Sequence, residues 1–525
     1  MPTLDLSGVT APSISADPIR EGGFIPSPQQ EVIFDHVKNG QGSSIVIAVA
    51  GAGKTTTARK ACKLMSGSVV FTSFNKKIAD EISYKLREDG AGPNVSAKTF
   101  HSIGYGAWRK IAPSVRVEED KISDICDDLA IDYKLKGSVR KLVSLVRNHG
   151  FGVGTIPLAD EDNWRDIIEH FQLAHDADED DDEGFILTLI EESLRVLKTS
   201  NATLGQVIDY DDMIYAPLLT GAPIWQNDWV LIDEAQDTNP TRQMLARRML
   251  KPSGRLMAIG DPRQAIYGFT GASANAMQDI KDEFGCIELP LTVTYRCPKS
   301  VVREARKIVS HIEAHESAPE GEHLQMDEEG FKKLIRAKTL QRSDAVICRN
   351  TRPLITLAFE MIRNKIPCHV EGREIGRGLI ALTKRWKIRN ARDFMERLWE
   401  WHDEQVEKLK NKKKDREAEA IHDKVSTIDV FVKHLLVGAS TDDLRREIDA
   451  LFGDTPEGHP SQNLTLSTVH KAKGREWPTV YLWGRNLYMP SQYAKQEWQV
   501  EQEMNLIYVA VTRAKERLVE VSVDL

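Results

Sequence analysis

The chain has 525 residues, of which 41% are hydrophobic and 28% charged, and its net charge is −8. That length exceeds one compact core and predicts roughly three to four domains, while no apolar run approaches the roughly 20 residues a membrane helix needs. The charge total excludes no partner by itself, because the dense acidic block "DADEDDDE" (Asp176 to Glu183) carries much of it and leaves the remainder closer to neutral.

In chain order, "MPTLDLSGVTAPSISADPIREGG" lacks a basic segment followed by an apolar core. It is no secretory signal and predicts a loose tail before the fold begins near Phe24. Next comes "IVIAVAGAGKTTTARK", Ile45 to Lys60, an apolar run that breaks into a Gly-rich loop and then a helical pattern. Its core, "AVAGAGKT", departs from GxxxxGK[ST] only where Ala48 replaces the first glycine. Small residues let backbone N–H groups wrap phosphates at a helix N-terminus. Ala50, Gly51, Ala52 and Gly53 form that loop; Lys54 can then reach the β- and γ-phosphates, and the Thr55 hydroxyl can hold Mg²⁺.

Two long, charged, helical stretches follow, from about Tyr105 to Leu204 and from about Leu379 to Gly458. The acidic block lies in the first and reads as a solvated loop. "HDEQVEKLKNKKKDREAEA" lies in the second and reads as an exposed helix of mixed charge. Around them stand short β-branched runs: "SSIVIAVAG", "SVVFTSFN", "DWVLIDEAQD", "RLMAIGDP", "DAVICRN" and "PTVYLWG". Each reads as a buried strand followed by a helix, so the fold class is α/β with mainly parallel sheets. "WVLIDEAQDTN" ends a strand in two carboxylates. Asp233 is placed to take Mg²⁺ through its shell, and Glu234 to act as general base on the attacking water. Six scattered cysteines with no CxxC pair argue against a zinc ribbon, an iron–sulfur cluster or a disulfide framework, and fit a reducing, intracellular setting.

Ten motifs occur in order: "PSPQQEVI", "AVAGAGKTTT", "FTSFNKKIADE", "TFHSIG", "IDYDDMIY", "LIDEAQDTN", "IGDPRQAIYGFTGA", "LTVTYRC", "STVHKAKGREWPTVYL" and "MNLIYVAVTRAKERL". Carrying them, the chain resembles superfamily 1 DNA helicases of the UvrD/Rep type from about Phe24 to the C-terminus. The resemblance implies two RecA-like P-loop motor domains, each with a mainly helical insertion. The boundaries it suggests are a tail at 1–23, a first motor domain at 24–104 and 205–285 around an insertion at 105–204, and a second at 286–378 and 459–525 around a small insertion at 379–458.

It also implies ATP and Mg²⁺ as cofactors and a set of roles. Gln30 matches the glutamine that reads the adenine edge, and Tyr295 the aromatic that stacks on the base. Arg296 and Arg513 match arginines on the γ-phosphate, one from each lobe. Gln264 matches a polar sensor between nucleotide and DNA, Glu476 a carboxylate near the ribose, and Thr56 the position next to the loop threonine that often faces the base. The implied DNA path uses Phe74, Asn75, Thr99, Phe100, His101, Tyr267, Phe269 and His470, with Lys76, Lys77, Lys471 and Lys473 as further candidates for phosphate contact. Aromatic faces that stack on bases and polar groups that track phosphates are what a single strand needs.

The resemblance has departures. Thr270 stands where many relatives carry a basic residue, Met504 and Asn505 where close relatives carry arginine, and Thr56 where several carry arginine. They suggest a compact side branch, phage-like or akin to the F-box helicases. The small second insertion, and a chain ending at Leu525 just past the last motif, suggest no fused nuclease. The implied partners are single-stranded DNA and junctions of single and double strand, engaged by a cytoplasmic monomer without membrane contact. Travel is implied to be 3′ to 5′, with unwinding. Stripping of proteins from DNA without strand separation, a nucleotide-switched binding module and an RNA track stay open at this stage.

Overall fold

The computed structural model describes residues 24–73, 75–173, 182–268, 271, 275–411, 415–453 and 463–524. The expected tail and nearly all of the acidic block lie outside the described residues. No described helix is long and apolar enough to cross a membrane.

Six strands build the first sheet: β1 (Ser44–Ala48), β2 (Val69–Ser73), β3 (Val95–Thr99), β4 (Asn227–Ile232), β5 (Leu250–Gly260) and β6 (Ile287–Leu291). Their order is β3-β2-β4-β5-β1-β6, and every pairing is parallel. The apolar runs of β1, β2 and β4 are almost wholly buried, as strands covered on both faces require. Register then matters more than sequence distance. Ile47 pairs with Gly260, Ile232 with Ala258, and Thr72 with Ile232. The C-terminal ends of β1, β4 and β5 therefore lie side by side, which is where parallel sheets present their sites.

The first sheet runs past the expected boundary at 285. Ile287–Leu291 pairs with Ser44–Ala48, and Leu289 and Leu291 enter the first core. Pro290 is tolerated there because β6 is an edge strand with no further neighbour to receive an N–H.

Seven strands build the second sheet: β7 (Glu322–Asp327), β8 (Ala345–Cys348), β9 (Cys368–Glu371), β10 (Phe452–Gly453), β11 (Leu464–Thr468), β12 (Trp477–Trp483) and β13 (Ala514–Ser522). The order is β7-β13-β12-β8-β11-β9-β10, again all parallel. A helix over Glu497–Val511 precedes β13 and is buried between the two lobes.

The two helical stretches differ in how they attach. The first folds helices Lys121–Asp128, Tyr133–Asn148, Glu161–His170 and Asp182–Ala202 around a core of its own that includes Trp164. Where the chain leaves and rejoins the first lobe, Arg116–Val117 pairs in parallel with Val207–Ile208. Among the described residues the second stretch has no separate core. Its helices Arg373–Thr383, Ala391–Asn411, Asp415–His434 and Thr441–Leu451 bury Leu379, Phe394, Val425 and Leu444 against Val346 and Leu466 of the second sheet.

The motif "IDYDDMIY" has a structural use. Arg147, fully buried, places Nη1 2.9 Å from Asp209 Oδ1 and 2.9 Å from Asp212 Oδ1, and Nη2 3.2 Å from Asp211 Oδ2. Lys121 Nζ adds a contact of 2.7 Å to Asp212. Burial works against the Arg147 charge, but the three carboxylates outweigh it and hold the guanidinium protonated. Removing one member of such a buried cluster strands the others. Arg147→Met is expected to destabilise the first insertion by about 3–5 kcal/mol. Amide exchange should quicken across residues 121–148 while the central strands of the first sheet keep their protection.

Candidate active site

The phosphate loop hangs from the end of β1. Gly51 and Gly53 hold φ of 73° and 79°, the left-handed region that glycine adopts without strain. At Gly51 space is also decisive, since a Cβ there would lie 2.5 Å from Arg296 Cβ and 2.6 Å from Thr294 Oγ1. Ala50 and Ala52 are buried in the loop. The helix Lys54–Cys62 starts directly after it, turning its unpaired N–H groups toward the loop. Thr56 is half-buried in that first turn.

β4 delivers the acidic pair beside this loop. Lys54 Nζ lies 3.3 Å from Glu234 Oε2, and the Thr55 hydroxyl donates to Asp233 Oδ2 at 3.1 Å. Glu234 has φ 51°, uncommon for a residue with a side chain, and such outliers gather where geometry serves a site. Burial and the adjacent Glu234 charge push the Asp233 carboxyl above its ordinary range. At Glu234 burial pulls the same way, but Lys54 and Lys473 outweigh it and hold the group ionised. A hydroxyl and a carboxyl facing each other, with the Glu234 charge adjacent, form an oxygen donor set that fits a hard divalent cation.

A chain of polar contacts links the acidic pair to the second lobe. Gln236 Nε2 donates to Glu234 Oε2 at 2.5 Å, and its Oε1 accepts from the Asp261 N–H at 3.0 Å. Gln264 Nε2 donates to Asp261 Oδ2 at 2.6 Å. From the second lobe, the Tyr508 hydroxyl accepts from Ala50 N–H at 2.8 Å and donates to Asp261 Oδ2 at 3.3 Å. Arg513 Nη2 donates to Gln264 Oε1 at 3.4 Å, while its Nε is tied to Val509 O at 2.9 Å. Burial, with Arg296 nearby, lowers the Arg513 guanidinium to about 10, so it remains charged at neutral pH.

At the rim, Gln30 completes a capping box with Ser27 and donates to Thr57 Oγ1 at 2.8 Å. Tyr295 is half-exposed, with its N–H on Gly51 O at 2.9 Å and its ring 4.8 Å from His315. Arg296 pairs with Glu476, which Lys515 also meets at 3.1 Å. The expected nucleotide residues Gln30, Ala50 to Thr56, Tyr295, Arg296, Glu476 and Arg513 thus come from both lobes onto one cleft.

The expected DNA residues are less uniform. Phe74 and Phe269, with Thr270, lie outside the described residues. Asn75 and Thr99 are helix N-caps, accepting from Ile78 and Ser102 N–H groups. Phe100 is buried in the core of the first lobe with Val70, Ile214 and Ile232, so its ring offers no face for a base. His101 borders a narrow cleft with Ser73, Asp233, Glu234, Asp237 and Arg242, and burial and Arg242 lower it to about 4, leaving it neutral. Tyr267 donates to His470 O at 3.1 Å across the lobes. Lys473 is not a solvent-facing cation. It is buried, 2.6 Å from Asp237 Oδ2 and 2.7 Å from Gln264 O. Lys471 pairs with Glu374. Tyr508, Asp261, Gln236 and Asp237 stand inside the quoted motifs, yet their residue types alone carried no signal. Asn505, one of the departures, bridges the lobes through Nδ2 to Ala265 O at 3.1 Å.

Comparison with known proteins meets this geometry. The UvrD/REP helicase N-terminal domain matches residues 28–285, and the UvrD-like helicase C-terminal domain matches residues 379–523. The chain belongs to the UvrD/REP helicase family. Among relatives, it is 23% identical to the probable DNA helicase II homologue of Mycoplasma genitalium, over 91% of this chain and 82% of that protein. It is 23% identical to F-box DNA helicase protein 1 of Schizosaccharomyces pombe, over 90% of this chain and 55% of the relative. The ATP-dependent DNA helicase Rep of Buchnera aphidicola is 23% identical over 51% of this chain and 42% of its own length. Members of this family are ATP-dependent DNA helicases, and the two parallel-sheet lobes accord with its paired RecA-like motor domains.

Two substitutions probe the cleft. Gly51→Ala is expected to abolish nucleotide binding, followed by fluorescence of a labelled ATP analogue, because the loop must shift away from Arg296. Tyr508→Phe leaves Ala50 N–H without its acceptor and removes one of the donors to Asp261, whose Oδ2 keeps Gln264. It is expected to weaken the closed arrangement by about 1–3 kcal/mol, read as a rise in KM for ATP.

Proposed function

We propose that the chain is a motor that translocates 3′ to 5′ on single-stranded DNA and unwinds duplex ahead of it. ATP occupies the cleft, with its phosphates on the Ala50–Thr55 loop and Lys54. The observation that carries this reading is that Tyr508, Lys473 and Arg513 of the second lobe are hydrogen-bonded to first-lobe groups in and around the phosphate loop. Any change in those phosphates is thereby felt as a change in the fit of the lobes.

Glu234, held ionised, accepts the proton of the attacking water. Arg296 and Arg513 stabilise the charge that spreads over the transferring phosphoryl group. Thr55 and Asp233 would hold Mg²⁺, which when bound would neutralise charge on the phosphate oxygens. Gln264, touching both Asp261 and Arg513, relays the state of the site toward Tyr267 and His470 on the proposed DNA path. Closure on ATP and reopening after hydrolysis shift the grip along the strand.

Hydrolysis is expected to rise strongly when single-stranded DNA is added. Glu234→Gln should lower it by about 10²–10⁴-fold while DNA binding survives. Rates indifferent to nucleic acid would remove the motor reading. Polarity is read by displacement of a streptavidin block from either end of an oligonucleotide; release only from the 3′ end would overturn the direction.

A further inference from the structure

The second insertion carries a site that the motor reading does not use. Residues 375–392, "IGRGLIALTKRWKIRNAR", hold six cations and no carboxylate, in a chain whose net charge is −8. Lys384, Arg385, Lys387 and Arg389 are exposed, and none of the four pairs with a carboxylate among the described residues. Like charges left together without counterions repel, so a surface of this kind gains by taking up an anion.

These cations border a groove of about 430 Å³ between the helices Arg373–Thr383, Ala391–Asn411 and Asp415–His434. Lys384, Arg385 and Lys424 stand on its walls, and Ala381, Leu382, Ile421 and Trp401 supply an apolar lining. Arg385 is held in place by two indoles, its Cζ 4.7 Å from the Trp401 ring centre and 5.6 Å from that of Trp386. A guanidinium fixed in this way presents its remaining N–H donors to a ligand at little entropic cost. The Trp401 indole N–H is buried and finds no acceptor, a polar group left unsatisfied while the groove is empty.

We propose that this groove binds a nucleotide unit, with phosphate on Lys384, Arg385 and Lys424 and the base on the apolar lining. The volume lies in the range of small-ligand sites and is ample for a base with its phosphate. A lone inorganic anion would leave the apolar lining unused. An acidic peptide would meet the cations but offers no flat ring for that lining. The unit can come from a nucleic-acid strand or from free nucleotide, and the chemistry at the groove is the same. The inference goes beyond the motor reading and does not require it.

The test uses the full chain with Lys384→Glu and Lys424→Glu together, beside a charge-matched control, Lys408→Glu with Lys410→Glu, outside the groove. Three probes are measured: a labelled forked oligonucleotide by anisotropy over a salt series, ADP by equilibrium dialysis, and polyglutamate. If the unit belongs to a strand, the groove variant binds the fork about tenfold more weakly and its salt slope flattens by about 1–2, while the control does not. If it is free nucleotide, the wild type binds two ADP per chain and the variant one. Hydrolysis stimulated by single-stranded DNA, followed in parallel, should stay at the wild-type level in the groove variant. Its absence in the wild type would instead count against the motor. Fork and ADP binding both unchanged, or a loss confined to polyglutamate, would overturn the proposal.

Discussion

The arrangement depends on a requirement that buried polar groups be paired. Tyr508 brings a hydroxyl from the second lobe to a backbone N–H of the phosphate loop, and Lys473 brings an ammonium to Asp237. Each would be costly to bury alone, and each is satisfied only by a group from the opposite lobe. The two sheets share one continuous apolar core, from Val46 and Ile259 to Ile347 and Leu482, and this short list of polar atoms fixes how they sit on it. Apolar contact between lobes tolerates sliding; a buried ion pair does not. The same atoms adjoin Glu234 and Asp261, so the fit of the lobes and the charge of the site are one problem.

Electrostatics divide the neighbouring carboxylates. Asp233 is buried and Glu234 beside it only half-buried; Lys54 and Lys473 reach Glu234 and hold it ionised, while burial and the Glu234 charge make Asp233 the more readily protonated of the two. One lysine comes from each lobe. The second lobe therefore helps keep ionised a group that the first lobe supplies, without any contact to a substrate.

Local patterns were well read in the sequence. The apolar runs that end in "AVAGAGKT" and "LIDEAQD" are β1 and β4, and the residues expected around nucleotide do gather on one cleft. What escaped was non-local. Phe100 and Lys473 stand next to residues with motif-like spacing, but spacing does not tell which side of a helix meets the core, and both are buried. Leu289 and Leu291 look like the start of a second domain until their pairing with β1 is known. The motif "IDYDDMIY" gave no sign of what Asp209, Asp211 and Asp212 do, because their counterion, Arg147, lies far away in sequence. The attachment of the second insertion was equally hidden: its apolar residues have helical period whether they pack on each other or on a sheet.

The pairing of the strands also dictates an order of assembly. β2 bonds to β4 with Val69 opposite Trp229, so the whole first insertion must be threaded between two strands that end as neighbours. The parallel pair Arg116–Val117 and Val207–Ile208 draws the ends of that insertion together and shortens the loop whose closure opposes the pairing. In the second lobe β7 waits for β13, Glu322 for Arg517. During synthesis the first lobe can complete its sheet once Leu291 has emerged, while the second keeps an open strand edge until Ala514–Ser522 is made. That interval, rather than any property of the finished molecule, is when the chain is most exposed to wrong pairing, and when a chaperone would have most to do.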